Sequence, residues 1–597
     1  MLRIIPTPKK LEVKDGTFSL AGARIFVNDC ADRRVVAAAT VLAEEMSHSS
    51  GERIVVSAGA PAGNAIVIDC GNGASEAYML TIENDTITLT SDGAAGAFYG
   101  IQTLRQIVKE NGEKLPCCAI DDEPEFAFRG FYHDVSRGRV NTLAKLEHIA
   151  DVLSYFKISS LQLYMEDAFL FKEYEGLRNE NDALTPCEIS ELERYCHDRF
   201  IELIPTLSTF GHLFTLLQSE KYNYISELSD HKLVMNYWME RQWHHTVDVY
   251  NPDTIKVIGS MIEQYMPLFR SKYFNICCDE TLDLCKGRNE GRDKGEAFFH
   301  HVDQLIALVK SHGKTVMMCG DECMARPELT KEHVPDDTVV VNWCYRKEVN
   351  EWIPKFFSEL GFRQVCSTAT DAWDAFIEDI DISVGNITSF SKHAKKYNAL
   401  GILNTSWGDF GHVCPFNGNL FGTMFGAEKS WNVDGAIDEE FEKAASILLY
   451  DVREFNVVDT LRALGKAAVS GNWTRFVMRH SDNCINSKNT ELTYGEGLTA
   501  KDAIANIDVC KKEAGRLKAL KRDDGVITDL VIAAEGTALM NRLALYVNGV
   551  EGYTNADALQ SDFNEWLERY SAAWLREDKP SELWRVQDFV KQITKIK

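Results

Sequence analysis

The chain has 597 residues, 45% of them hydrophobic and 26% charged, with a formal net charge of −25. That length exceeds one ordinary core and implies roughly two to four domains. The acidic balance argues against a nucleic-acid or anionic-membrane partner, because either would need a basic face.

The opening Met1-Leu-Arg-Ile-Ile-Pro-Thr-Pro-Lys-Lys10 has no apolar core and no small-residue cleavage site, so it does not read as a signal peptide. Two short apolar runs follow, Arg24 to Asn28 and Ala65 to Asp69, and both read as strands. Tyr78 to Glu83 and Thr86 to Thr90 flank Asn84-Asp85 and predict a hairpin. Arg34 to Met46 and Ala94 to Val108 carry apolar residues at helical spacing. Residues 1–122 are therefore expected to form a small α/β domain, ending near the acidic Asp121-Asp-Glu-Pro124.

A different rhythm fills residues 123–431. Apolar runs ending in polar residues alternate with helical patterns: Phe128 to Ser136, Ser159 to Met165, Ile201 to Leu207 and Tyr273 to Glu280 come first. Thr315 to Asp321, Thr338 to Trp343, Phe362 to Thr370 and Ala399 to Trp407 complete the set. Eight strand–helix units over roughly 300 residues predict a (β/α)8 TIM barrel rather than an open sheet. Several of the 16 cysteines lie inside these runs (Cys277, Cys278, Cys319, Cys344, Cys366), where a thiol acts as a small hydrophobe. There is no pair of Cys-x-x-Cys motifs for zinc. The first strand gives Tyr132-His-Asp134 rather than the His-x-His of a metal-dependent amidohydrolase. No metal or other cofactor is expected, and a reduced, cytoplasmic protein is the plain expectation.

Residues 432–597 read as a helical domain, with amphipathic spacing over Glu439 to Tyr450, Ala500 to Leu517, Asp529 to Asn548 and Asp562 to Trp574. No run approaches the ~18 consecutive apolar residues of a membrane span. A long helical tail beside a barrel is compatible with a homodimer.

In such a barrel the chemistry belongs at the carboxyl ends of the strands. Residues assigned there are Arg129 with Asp134, Glu166-Asp167, Gly211-His212, Asp279-Glu280, Asp321, Trp343, Trp373 and Trp407-Gly-Asp409. Indole faces suit the apolar face of a pyranose, while carboxylates and arginine hold its hydroxyls. A carbohydrate is the expected substrate, with one acid placed to protonate the leaving oxygen. A catalytically silent sugar-binding barrel, or a glycosidase of another specificity, is the competing reading. Keeping both acids at 279 and 280 counts against the silent one.

Several segments carry a family resemblance. Phe128-Arg-Gly-Phe-Tyr-His-Asp-Val-Ser-Arg137 resembles the first barrel strand of glycoside hydrolase family 20. Leu184-Thr-Pro-Cys-Glu-Ile, Ile201 to Pro205 and Phe210-Gly-His212 look like its third strand and preceding helix, and Phe274-Asn-Ile-Cys-Cys-Asp-Glu280 matches its catalytic signature. Leu163 to Asp167 and Thr206 to His212 look closest to the hexosaminidase D-like branch. The resemblance implies an exo-β-N-acetylhexosaminidase acting on terminal β-linked GlcNAc or GalNAc. In the substrate-assisted retaining scheme it implies, the acetamido oxygen attacks the anomeric carbon. Glu280 would be the acid/base and Asp279 would orient the acetamido group. Arg129 would bind hydroxyls of the terminal sugar, Asp167 and His212 would form the supporting carboxylate–histidine pair, and Asp409 would hold the outer hydroxyls beside Trp407. Trp343 and Trp373 would wall the acetamido pocket, with Tyr345 the candidate for its oxygen. One departure stands out: many members carry an acid four residues before the strand-three histidine, and this chain has Ser208.

Overall fold

The computed structural model describes residues 2–28, 32–57, 63–228, 245–480 and 494–595. The first domain is a mixed sheet of seven strands, β1 (Lys10–Ser19), β2 (Arg24–Val27), β3 (Val56–Ser57), β4 (Ala65–Gly73), β5 (Tyr78–Ile82), β6 (Thr86–Gly93) and β7 (Lys114–Asp122). Their spatial order is β1-β7-β5-β6-β4-β2-β3. Asn84-Asp85 closes the predicted hairpin, with Ile82 opposite Ile87. Helices α1 (Arg33–Ser50) and α2 (Ala94–Asn111) pack on this sheet. The Asp32 carboxylate caps the first turn of α1, and Gly51 ends that helix in the left-handed region at φ 70°.

All eight predicted barrel strands form. They are β8 (Phe128–Asp134), β9 (Ser160–Tyr164), β10 (Glu202–Ile204), β11 (Tyr273–Asn275), β12 (Thr315–Cys319), β13 (Val339–Trp343), β14 (Arg363–Ala369) and β15 (Gly401–Ser406). Every pairing is parallel, in the order β10-β9-β8-β15-β14-β13-β12-β11. The ring closes between β10 and β11, where Leu207 N–H donates to Asn275 O at 3.0 Å and Asn275 N–H to Pro205 O at 2.9 Å. Side chains fill the interior: Tyr132, Tyr164, Ile204, Cys277, Met317, Cys319, Val341, Val365 and Leu403 form one buried cluster. Burial lifts the Cys277 and Cys319 thiols far above their usual range, so they stay protonated as apolar filling. The 14 cysteines among the described residues are all free.

After the last barrel helix, Leu420–Trp431, the described chain is helical. One of its helices, Gly525–Val547, is long and apolar enough to cross a membrane by composition alone, which the sequence reading passed over. It is instead a core helix, 78% buried over its most apolar stretch. Its neighbours hold it by Trp566 Nε1 donating to Ile532 O at 2.9 Å, Arg576 to Asp529 at 2.7 Å and Asn417 to Asp529 at 2.7 Å.

Candidate active site

The rim at the carboxyl ends of the strands gathers most of the predicted residues. Strand β11 is only three residues long because the chain beyond it leaves extended geometry: Cys277, Cys278 and Glu280 have φ of 56°, 68° and 48°. His212 on the neighbouring loop has φ 58°. Left-handed backbone at a non-glycine costs of order 1–2 kcal/mol per residue, and such strain collects where the surroundings over-determine it. Here it turns Asp279 and Glu280 toward one imidazole: His212 Nε2 lies 3.5 Å from Asp279 Oδ2 and 3.5 Å from Glu280 Oε2. The Asp279 side chain is 16% exposed, while that of Glu280 is 41% exposed, open to an incoming leaving group. Gly211 makes the close approach possible, since a Cβ there would sit 2.9 Å from Asp279 O.

Burial alone would raise the Asp279 carboxyl, but His212 and Arg137 outweigh it and hold the group below the usual carboxylate range. The ring of His212 stacks on His245 at 4.9 Å, and its backbone N–H donates to His245 Nδ1 at 2.8 Å. Arg137 Nη2 lies 3.4 Å from His212 Nδ1. A guanidinium can only donate, so Nδ1 accepts and the ring proton sits on Nε2, facing the two acids.

The arginine of the rim is Arg137, not Arg129. Arg129 is the second residue of β8 and therefore lies at the amino end of the barrel. There it is fully buried: it donates to Lys157 O and Phe126 O at 3.0 and 2.9 Å, to both oxygens of Glu76 at 2.8 and 2.9 Å, and to Tyr99 Oη at 3.0 Å. All of this ties the first domain to the barrel floor, beside a cavity of about 600 Å³ lined by Glu76, Phe128, Ser159 and Arg363. The assignment of Arg129 to sugar hydroxyls is thus corrected. Arg137 follows β8 instead. It donates through Nε to Glu166 at 3.0 Å, through Nη1 to Asp409 at 2.5 Å and through Nη2 to Tyr164 Oη at 3.0 Å. Asp134 aims it by accepting the Ser136 and Arg137 N–H groups at 2.9 and 3.0 Å, and binds Gly408 N–H at 3.1 Å.

The predicted Asp167–His212 pairing is also corrected. The Asp167 carboxylate is engaged by Arg178 and, at 2.7 Å, by Thr215 Oγ1, whereas His212 faces Asp279 and Glu280. Asp167 orders the loop behind the histidine.

The four predicted aromatic residues do converge. Trp343 stacks on Tyr345 at 5.4 Å, and Tyr345 reaches Trp373 at 6.0 Å and Trp407 at 6.2 Å. Trp407 is braced edge-on by Tyr132 and Tyr164 at 5.1 and 5.0 Å and lies under the Arg137 guanidinium. Glu166 and Asp321, expected at the rim from their places after strands, complete the cluster together with Tyr164 and His245, which the strand pattern did not single out. A signal for Arg137 existed: the carboxyl-end rule favours a residue after the strand over one at its start.

The helical tail also reaches the rim. In the helix Trp473–His480, Trp473 Nε1 donates to Phe410 O at 2.8 Å and its backbone N–H to Asp374 O at 3.0 Å. Thr474 Oγ1 donates to Asp374 at 2.6 Å. This helix straps together the loops that carry Trp373 and Asp409.

A closed parallel barrel with paired acids, an arginine–carboxylate cluster and an indole wall at its catalytic end defines a sugar-site barrel of the glycosidase class. Residues 1–123 match "Glycosyl hydrolase family 20, domain 2", and residues 126–372 match "Glycosyl hydrolase family 20, catalytic domain". The chain belongs to glycosyl hydrolase family 20. A β-hexosaminidase of Porphyromonas gingivalis is 27% identical over 358 residues, covering 53% of this chain and 45% of that protein. A β-N-acetylhexosaminidase of Cellulomonas fimi is 32% identical over 173 residues, covering 28% and 34%. The chain spans about half the length of the curated relatives it matches. Among solved structures, the Flavobacterium johnsoniae chitobiase aligns over 99% of both chains at 18% identity and a TM-score of 0.64. Streptomyces plicatus N-acetyl-β-hexosaminidase aligns over 75% of this chain and 94% of its own at 18% identity, with a TM-score of 0.60. Both share the fold.

Proposed function

We propose that the protein is an exo-β-N-acetylhexosaminidase that removes terminal β-linked GlcNAc, GalNAc or both by the substrate-assisted retaining route. The observation that carries this reading is the convergence of Asp279 and Glu280 on one histidine nitrogen. Two acids on the same side of a sugar do not flank it as acid and nucleophile. In this scheme the acetamido oxygen attacks the anomeric carbon while Glu280 gives its proton to the leaving oxygen. Asp279, held as a carboxylate, accepts the acetamido N–H and steadies the positive charge of the oxazolinium ring. Glu280 then takes a proton from water, which opens that ring with net retention. Trp343, Tyr345, Trp373 and Trp407 supply apolar faces, and the Arg137–Asp409 pair supplies donor and acceptor for the outer hydroxyls.

The test is hydrolysis of nitrophenyl β-GlcNAc, β-GalNAc and β-glucoside by the protein and by Glu280→Gln and Asp279→Asn. Cleavage of the acetamido sugars alone, reduced at least about 100-fold in both variants, is expected. Equal cleavage of the glucoside would overturn substrate assistance. Absence of cleavage with retained binding of a thiazoline analogue would make the protein a sugar binder.

A further inference from the structure

Strands β11 and β12 run side by side with Tyr273 opposite Thr315, Phe274 opposite Val316 and Asn275 opposite Met317. The pairing continues past the strands, because Cys319 N–H donates to Cys277 O at 2.8 Å. Asp321 follows β12 as Asp279 follows β11, and the Asp279 charge acts on Asp321 at the rim. Asp321 Oδ2 accepts the backbone N–H of Glu280 at 3.1 Å, while its Oδ1 is buried without a hydrogen-bond partner among the described residues. Two neighbouring carboxylates out of water cannot both be ionised cheaply, so one holds a proton. Asp279 has His212 and the Arg137 guanidinium acting on it, whereas the strongest influences on Asp321 are burial and the Asp279 charge.

We infer that Asp321 is a positioning residue of the catalytic pair, working as a neutral carboxylic acid that fixes the Glu280 backbone through Oδ2 and steadies the Asp279 carboxylate with the proton on Oδ1. The inference rests on the proposed hexosaminidase reading and names a residue to which that reading gives no role. The groups facing Asp321 favour the neutral form. Asp279 and Glu280 lie on the β11 side, Cys277, Cys278 and Cys319 are neutral thiols between the strands, and Glu322 and Cys323 follow on its own helix. Lys294 is held by Glu322 at 2.5 Å. Burial, followed by the Asp279 charge, pushes Asp321 up to about 7. It also supplies an acid contact to the pair in a chain that has Ser208 four residues before His212.

The experiment is the pH profile of kcat/KM on nitrophenyl β-GlcNAc, with Asp321→Asn and Asp321→Ala beside the unaltered protein. Asparagine keeps an acceptor for Glu280 N–H and a fixed donor for Asp279. The unaltered enzyme should lose activity above about pH 7. Asp321→Asn should keep activity within about threefold at pH 6 and surpass the unaltered enzyme at pH 8, while Asp321→Ala should fall about tenfold at pH 6. Superposable profiles for the protein and Asp321→Asn would overturn the inference. An infrared difference spectrum gives a readout independent of turnover: the unaltered protein minus Asp321→Asn should show a protonated-carboxyl band that vanishes through about pH 7, the bands of Asp371 and Glu378 cancelling between the two. Presence of that band in a protein that cleaves no substrate would defeat the hexosaminidase reading and leave the neutral acid standing. Its absence would defeat the neutral acid.

Discussion

Arg137 and Arg129 lie at opposite ends of one strand segment, and their partners set what each substitution should do. Arg137 meets Glu166, Asp409 and Tyr164 beside His212, so Arg137→Met should lower kcat/KM about 100-fold through lost hydrogen bonds to charged groups. Arg129→Met should leave KM of the folded enzyme unchanged but cost about 3 kcal/mol or more in stability, because Glu76 loses the guanidinium that pairs both its oxygens. Thermal melts and steady-state kinetics on the two variants separate these outcomes. Gly211→Ala belongs at the same scale. Its Cβ would meet Asp279 O at 2.9 Å, a backbone atom that cannot swing aside, so kcat should fall at least about tenfold with the circular dichroism unchanged.

Among the elements, the strap formed by Trp473–His480 is the one whose effect on the site is indirect. Trp473→Phe keeps the ring packed against Phe376 and Phe589 but removes the N–H held by Phe410 O. A rise in KM of a few-fold with kcat nearly unchanged is expected, since the loops bearing Trp373 and Asp409 would loosen while the acid pair is untouched. The eight barrel strands were legible in the sequence because each is a run of apolar residues closed by a polar one, and buried parallel strands read that way. The rim positions of Asp279, Glu280, Trp343 and Trp407 were legible for the same reason, since they close those runs, whereas Tyr345 was named only through the family resemblance. The partner of Asp167 was not, because adjacent acids leaving a strand do not announce which way each carboxylate turns. Nor was the strap, whose rim contacts join residues 63 to 100 positions apart; helical spacing shows only which face is buried.

The molecule as a whole carries opposed sets of buried ionisable groups. Burial pushes Glu378 up to about 8 and Asp371 to about 7, and Asp321 sits at about 7. Each keeps its proton in the folded state where the unfolded chain has lost it, so its contribution is complete below about pH 4 and is lost as pH rises through 7 to 8. Burial also depresses His133 and His301 to about 4 and lowers His245 and His412 well below the usual histidine range. Their contribution is present above about pH 6.5 and is lost as pH falls through 4. Melting temperature should therefore peak near about pH 6 and decline on both sides. Glu378→Gln, which mimics the neutral acid held by Gly422 N–H, should melt with the parent at about pH 4 and increasingly above it toward pH 9. Equal declines toward pH 9 in both proteins would rule out this origin for the alkaline limb.

The apolar helix Gly525–Val547 has a consequence for how the chain is made. Its covering partners lie on both sides in sequence: Phe376 and Asn417 in the barrel, Ala467 before it, and Trp566 and Arg576 after it. On a ribosome releasing the chain from its amino end, the barrel can close while this segment still lacks half its cover. Until the residues through Arg576 have been synthesised, a stretch with the composition of a membrane span faces water. Holding that segment apart from its like in neighbouring chains is a chaperone's task. Truncation just after Val547, which also takes Asp578 from Arg139 and Glu577 from Lys145, should give a product that aggregates.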